Sequence, residues 1–285
     1  MIKRNPIEVF SEWADLDKDL GMEKNHNKSV EKMLDYALKD PIKAFSFIDA
    51  GCGNGWVVRK VAQLKSCLHA EGVDGSENMI QKAKKIDPSL SYSCADLMVW
   101  NPKTKVDIVH SMEVLYYLDD PKAVIQRIFN DWLKPKGRLI IGIDFYLENK
   151  VSHNWSESCG INNMKLFSQQ EWFSFFTAAG FQNMASWHQG AQKNWAGTLI
   201  ITGALSNSTD LIIASDATLD LQISQQFSSI DLNGTISRTA GTSSLNISHQ
   251  NFSLFLCIRS QSRIPPHLIS SPFSTLDTRG SSSVF

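Results

Sequence analysis

The chain has 285 residues, 42% of them hydrophobic, and its 28 Lys and Arg nearly balance 29 Asp and Glu for a net charge of −1 at pH 7. That apolar fraction suffices for a real core, while the balanced charge argues against a global basic field able to hold a nucleic-acid backbone or an anionic membrane. The five cysteines, Cys52, Cys67, Cys94, Cys159 and Cys257, show no CxxC spacing, which argues against a disulfide framework and a zinc site and suits unpaired thiols in a reducing compartment.

From the N-terminus, Met1 to Pro6 lacks the apolar h-region of a secretory signal, and Leu139 to Leu147 is broken by Asp144 and too short to cross a bilayer. A soluble, cytoplasmic protein is therefore expected. Phe10 to Met33 contains Trp13, the run Gly21-Met22-Glu23-Lys24-Asn25-His26 and a helical pattern from Lys28, so residues 1–43 read as a helical segment before the first strand.

Phe45–Ala50 reads as a buried strand that ends in Asp49 and runs into Gly51-Cys52-Gly53-Asn54-Gly55. Gly51 and Gly53 allow a tight turn and a close backbone approach to a ligand, and Gly55 lets the helix that starts there pack on its strand. A second strand, His69–Asp74, ends in Asp74 about 20 residues past the last glycine, where a carboxylate can accept both hydroxyls of a ribose. Further strands are expected at Ser91–Ala95, Asp107–Ser111 and Arg138–Asp144, with helices starting near Ser76 and Asp119. Asp119, Asp120 and Pro121 suit a helix start. Ser168-Gln169-Gln170-Glu171 is a capping box opening a helix that should end at Gly180.

Alternating strands and helices imply a parallel sheet covered on both faces. Phe181–Trp187 and Thr198–Leu205 then read as strands joined without room for a crossover helix, so they should pair antiparallel. The expected fold is α/β: a doubly wound, Rossmann-like, seven-stranded sheet over residues 44–205, closing in a C-terminal antiparallel hairpin. No Glu follows Glu171 and no Lys follows Lys193, and residues 206–285 are crowded with Ser, Thr, Asn and Gln. That composition suits a disordered tail.

The glycine turn, Gly72-Val73-Asp74-Gly75-Ser76, Ala95-Asp96-Leu97, Val106 to Leu115 and Leu133-Lys134-Pro135-Lys136-Gly137 form an ordered set. As a set it resembles the class I S-adenosylmethionine-dependent methyltransferases, over about Ala44 to Ala204. The resemblance implies S-adenosyl-L-methionine as cofactor and a small-molecule methyl acceptor, with no nucleic acid or membrane as partner. Ligands of such sheets bind beyond the carboxyl ends of the strands. Asp49, Gly51 and Gly53 would then wrap the methionine moiety and Asp74 the ribose. Asp96 would receive the adenine amino group and the Leu97 backbone the ring, while Ser111, Met112 and Glu113 would lie beside the sulfonium. The segment before the first strand often forms a lid in related enzymes, which makes Trp13, Met22 and His26 candidates for the wall.

A general base is needed only if the acceptor loses its proton during attack. The polar, aromatic connection Asp144 to Glu157 is the expected source: His153 is the candidate base by its titration range, with Tyr146 the second catalytic candidate. Tyr116, Tyr117, Tyr146, Trp155 and Trp195 cluster at the same edge, whereas Trp132 and Trp172 should be core. Two alternatives stay open: a methyltransferase-like binding protein without turnover, and a nicotinamide-dependent oxidoreductase, which predicts a parallel sixth strand.

Overall fold

A computed structural model describes residues 3–39, 44–206, 235–237 and 244–246. Asn5 accepts a hydrogen bond from the Ile7 amide and Pro6 occupies the first turn, which starts α1 (Pro6–Asp15). α2 (Leu20–Ala37) starts a full two turns before the expected run from Lys28. Gly21 within it costs about 1 kcal/mol, which the burial of Val30, Met33 and Leu34 on the sheet offsets.

The sheet follows as β1 (Phe45–Ala50), α3 (Trp56–Ala62), β2 (Cys67–Asp74), α4 (Glu77–Ile86), β3 (Ser91–Cys94) and β4 (Val106–Met112). Then come α5 (Pro121–Arg127), β5 (Leu133–Ile143), the short α6 (Trp155–Ser158), α7 (Gln169–Ala179), β6 (Gln182–Gln189) and β7 (Thr198–Ala204). Ser76 caps α4, and Asp120 caps α5 by accepting from the Ala123 amide at 2.9 Å. The capping box of Ser168 and Glu171 is formed, and Gly180 ends α7 in the left-handed region at φ 100°.

Strand order is β3-β2-β1-β4-β5-β7-β6. The first five strands are parallel, and β7 runs antiparallel to both β5 and β6. Chain direction reverses its walk across the sheet between β1 and β4, the switch point at which ligands of such sheets bind. Successive residues feed opposite faces: Ile48, Val109, Leu139 and Ile141 join one core with Trp132, Trp172 and Phe176. Phe47, Ile108, Ile140 and Ile200 join the other with Met33, Val57 and Val58. Burial on both sides is what parallel strands with helices on each face require.

β5 begins at Leu133, earlier than expected, because the Lys-Pro-Lys-Gly run is an irregular lead-in rather than a free loop. Leu133 pairs with Val106, the register then shifts, and Lys136 sits at φ 67°. The chain divides into two units, Met1–Ser208 and Thr209–Phe285. In the second, β8 (Thr235–Ser237) and β9 (Ser244–Asn246) pair antiparallel; the expectation of a disordered tail otherwise lies outside the described residues. Among the described residues no helix is long and apolar enough to cross a membrane.

Candidate functional site

At the carboxyl ends of β1, β2, β4 and β5, roofed by α1 and α2, lies a cavity of about 1300 Å³. Its floor starts at the glycine turn. Gly51, Gly53 and Gly55 all have positive φ (81°, 52° and 78°), and the Gly51 and Cys52 amides donate to the Val73 carbonyl at 2.7 and 3.0 Å. A Cβ on Gly51 would overlap Val114, whereas one on Gly53 would stand 3.4 Å from Met22 Cε, on the cavity side. The backbone path therefore favours glycine at both positions, Val114 adds a clash at the first, and the second borders the ligand space.

Asp74 clamps this turn. Its Oδ2 accepts from the Gly53 amide at 2.9 Å and its Oδ1 from the Ser76 amide at 2.8 Å. Burial pushes its carboxyl up and the two amides pull it back. Asp96, Leu97, Met112 and Glu113 line the same space as Gly51, Gly53 and Asp74. Asp96 is exposed at its rim and accepts from the Met98 amide at 2.8 Å.

Asp49 does not line the cavity. It is 3% exposed, and its Oδ1 lies 2.7 Å from Nδ1 of the fully buried His110. β1 and β4 are neighbours with Asp49 in register with His110, so the carboxylate turns sideways along the sheet rather than outward. Ser111 is likewise buried and donates to the Ala50 carbonyl at 2.8 Å.

The two catalytic candidates also lie outside the cavity. His153 is exposed, with Nε2 at 3.1 Å from the Leu147 carbonyl, and Tyr146 is buried with its hydroxyl donating to the Gly197 carbonyl at 3.0 Å. The connection after β5 folds back on itself instead of running along the site: Asn149 donates to the Asp144 carbonyl at 2.7 Å, and Ser152 to the Asn149 carbonyl at 2.8 Å.

Among the polar groups that face the cavity beyond the glycine turn are Glu113, Asp144, His26, Tyr116 and Tyr117. Glu113 sits at φ 60° just past β4, a conformation uncommon for a side chain of this size, and its amide donates to the Gly142 carbonyl at 2.9 Å. Its carboxylate accepts from the Asp144 amide and, at 2.7 Å, from the Tyr116 hydroxyl, which stands 3.3 Å from that of Tyr117. Burial, then the Asp144 charge, pushes Glu113 well above the usual carboxylate range.

Asp144, at the carboxyl end of β5, is 5% exposed, and among the described residues its Oδ1 has no hydrogen-bond partner. Burial raises its carboxyl to about 6. Oδ2 lies 3.8 Å from Nδ1 of His26, and burial lowers that imidazole to about 4, so at pH 7 the pair is a carboxylate beside a neutral ring. The placement of Asp144 as a site residue had a sequence signal: it ends a strand at the same sheet edge as Asp74.

The roof contributes Trp13, Met22 and His26 to the lining. Tyr116, Tyr117, Trp155 and Trp195 supply an aromatic wall in which the two indoles stack at 6.3 Å, while Trp132 and Trp172 are fully buried in the core. Among the described residues no group of three or more His, Cys, Asp or Glu is placed to hold a metal ion, and four cysteines are unpaired.

A model of the methyltransferase domain matches residues 12–186. The trans-aconitate 2-methyltransferase of Methylobacterium radiotolerans is 31% identical over 94 residues, 33% of this chain and 36% of that protein. The mitochondrial ubiquinone biosynthesis O-methyltransferase of Saccharomyces cerevisiae is 29% identical over 127 residues, covering 42% of this chain and 38% of that one. The aligned part thus spans little more than a third of these curated relatives. Among solved structures, a chain of the Haloferax volcanii complex between the Trm112 methyltransferase activator and a methyltransferase is similar with a TM-score of 0.60 and 27% identity, covering 71% of this chain and 99% of that one.

Proposed function

Because the chain belongs to the methyltransferase-domain family, we propose that it transfers the methyl group of S-adenosyl-L-methionine to a small-molecule acceptor. The observation that carries this reading is the glycine turn clamped by Asp74 at the floor of a cavity of about 1300 Å³. A drug-sized ligand site measures about 300–1,000 Å³, so the space suits a cofactor and an acceptor together.

The residues fit such a cofactor. Asp74 would hold the ribose hydroxyls, Asp96 and the Leu97 backbone the adenine, and Gly51 and Gly53 leave the turn free of side chains. Met112 and Glu113 would border the sulfonium, and the Tyr116, Tyr117 and Trp13 rings lie where a cation is attracted to an aromatic face. When bound, the cofactor supplies an electrophilic methyl group on a positively charged sulfur.

What the chain adds is position. Holding the acceptor in line with the methyl supplies roughly 7–11 kcal/mol of the barrier. Helices α1 and α2 cover that space, and a proton released by the acceptor has Asp144 nearby rather than His153 or Tyr146. The antiparallel β7 removes the parallel sixth strand that a nicotinamide-dependent oxidoreductase would need.

Calorimetry with S-adenosylmethionine and S-adenosylhomocysteine tests the reading, and binding of neither would sink it. Binding without transfer of a tritiated methyl group to any pool of small-molecule extracts would instead support a binding protein that lacks turnover.

A further inference from the structure

The acceptor end of the cavity carries its charge in one sign. Glu113 and Asp144 stand side by side there, joined through the Asp144 amide; burial and the Asp144 charge favour the protonated form of Glu113, which leaves Asp144, on the cavity lining, as the charged member. Among the described residues two lysines, Lys18 and Lys28, line it, both exposed at the rim, and no arginine does. His26, the one imidazole on the lining, is neutral at pH 7.

A carboxylate acceptor placed at this end would meet the Asp144 carboxylate and no cation, an arrangement that like charges disfavour. A nitrogen carrying N–H donors would give that carboxylate a charge-assisted partner. Around these groups Tyr117, Trp155 and Trp195 offer flat apolar faces for the body of the molecule. Resting on the methyl-transfer reading, we infer that the acceptor is an amine with an aromatic or apolar body, held through its nitrogen by Asp144.

The step balances as follows in atoms and charge. The ammonium first gives a proton to Asp144, whose raised affinity for protons suits the task, and the freed lone pair forms the N–C bond while the C–S bond breaks. The electron pair of the broken bond stays on sulfur and cancels its charge, leaving a neutral thioether. The positive charge moves to the methylated nitrogen, which leaves as the ammonium.

The same carboxylate could instead serve the amino group of the cofactor, and the test separates the two. Wild-type protein loaded with S-adenosylhomocysteine is titrated with phenethylamine and tryptamine, with the matching alcohols 2-phenylethanol and tryptophol, and with phenylacetate and indole-3-acetate. The amines should bind about tenfold or more tightly than alcohols or acids of the same skeleton. In Asp144→Asn that preference should disappear while S-adenosylhomocysteine affinity stays unchanged. Preference for the acids, or no amine binding by protein that does bind S-adenosylhomocysteine, overturns the inference. Loss of S-adenosylhomocysteine affinity in Asp144→Asn overturns it too and assigns the carboxylate to the cofactor. Failure of the wild type to bind S-adenosylhomocysteine overturns the underlying reading instead. The wild-type panel decides without the variant should Asp144→Asn fail to fold.

Discussion

Oδ2 of Asp19, in the turn between α1 and α2, accepts a hydrogen bond from Asn54 Nδ2 in the glycine turn at 2.7 Å. Asp19 is fully buried, and its other oxygen meets Lys82 Nζ on α4 at 2.6 Å. One carboxylate therefore fastens the roof of the cavity to both its floor and its side. Asp19→Ala strands the Asn54 amide, whereas Lys82 keeps Asp17 at 2.7 Å and the Ala14 carbonyl at 3.2 Å, so the loss is that of hydrogen bonds to a charged group, about 1.5–3 kcal/mol. Urea unfolding should show that loss. Cofactor affinity should fall with it, because the roof loses its tie.

Asp74→Asn keeps the shape of the side chain and removes its charge. Its hydrogen bonds from the Gly53 and Ser76 amides are charge-assisted, as those from a bound ribose would be, and such bonds are worth about 1.5–3 kcal/mol each. Calorimetry should register S-adenosylmethionine binding weakened by roughly ten- to a hundredfold in a protein that still folds. Unchanged affinity would remove Asp74 from the ribose.

Gly51→Ala and Gly53→Ala should fail in different ways. A methyl on Gly51 overlaps Val114 in a left-handed backbone, so the first variant should lose stability. Gly53 has room for a methyl beside Met22 but shares the left-handed backbone at φ 52°, so the second should lose only about 1–2 kcal/mol of stability, less than the first, and bind cofactor poorly. Thermal melts paired with titrations distinguish them, and equal loss of stability in both would contradict the assignment.

Asp144 makes stability depend on pH. Its carboxyl binds protons more tightly in the folded chain, at about 6 against an ordinary value of 3.8, so its favourable contribution is complete below about pH 4 and is lost as pH rises through about 6. Asp144→Asn lacks that loss. It should be more stable than the wild type at pH 7 by roughly 2–3 kcal/mol, with the gap closing toward pH 4 in chemical unfolding curves. A variant less stable at pH 7 would place Asp144 in a favourable contact.

His153→Ala should retain the wild-type methyl-transfer rate once an acceptor is in hand, because the imidazole is exposed and engages the Leu147 carbonyl outside the cavity. Tyr146→Phe should cost about 1 kcal/mol of stability through its lost bond to the Gly197 carbonyl, without changing cofactor affinity. A rate fall of about a hundredfold or more in His153→Ala would return it to the mechanism.

These residues mark where sequence reading stops. Strand ends, caps and glycine turns are local, and local chemistry names them: Ser168 with Glu171, Asp120 before Pro121 and Asp74 after β2 all stand where their neighbours in the chain require. The facing of Asp49 is not local. It depends on His110, 61 residues away and visible as a neighbour only once β1 and β4 are paired. His153 was placed by its titration range, and nothing in its flanking residues announces that the connection folds back at Asn149 and Ser152. Asp144, by contrast, obeys the rule that selected Asp74, a carboxylate at the carboxyl end of a strand, and was legible on that ground.

The hydrogen bond between Ser29 on α2 and Thr198 on β7 joins residues 169 apart in the chain, at 3.0 Å. Val30 and Met33 beside it share their core with Ile140 and Ile200. A chain made from its N-terminus carries these apolar groups without their β5 and β7 partners until those strands have been synthesised. Contacts of such span are slow to form, because the intervening loop must close before they give any return. The roof is thus made first and seated last, so a newly synthesised molecule acquires its sheet before it acquires its cavity.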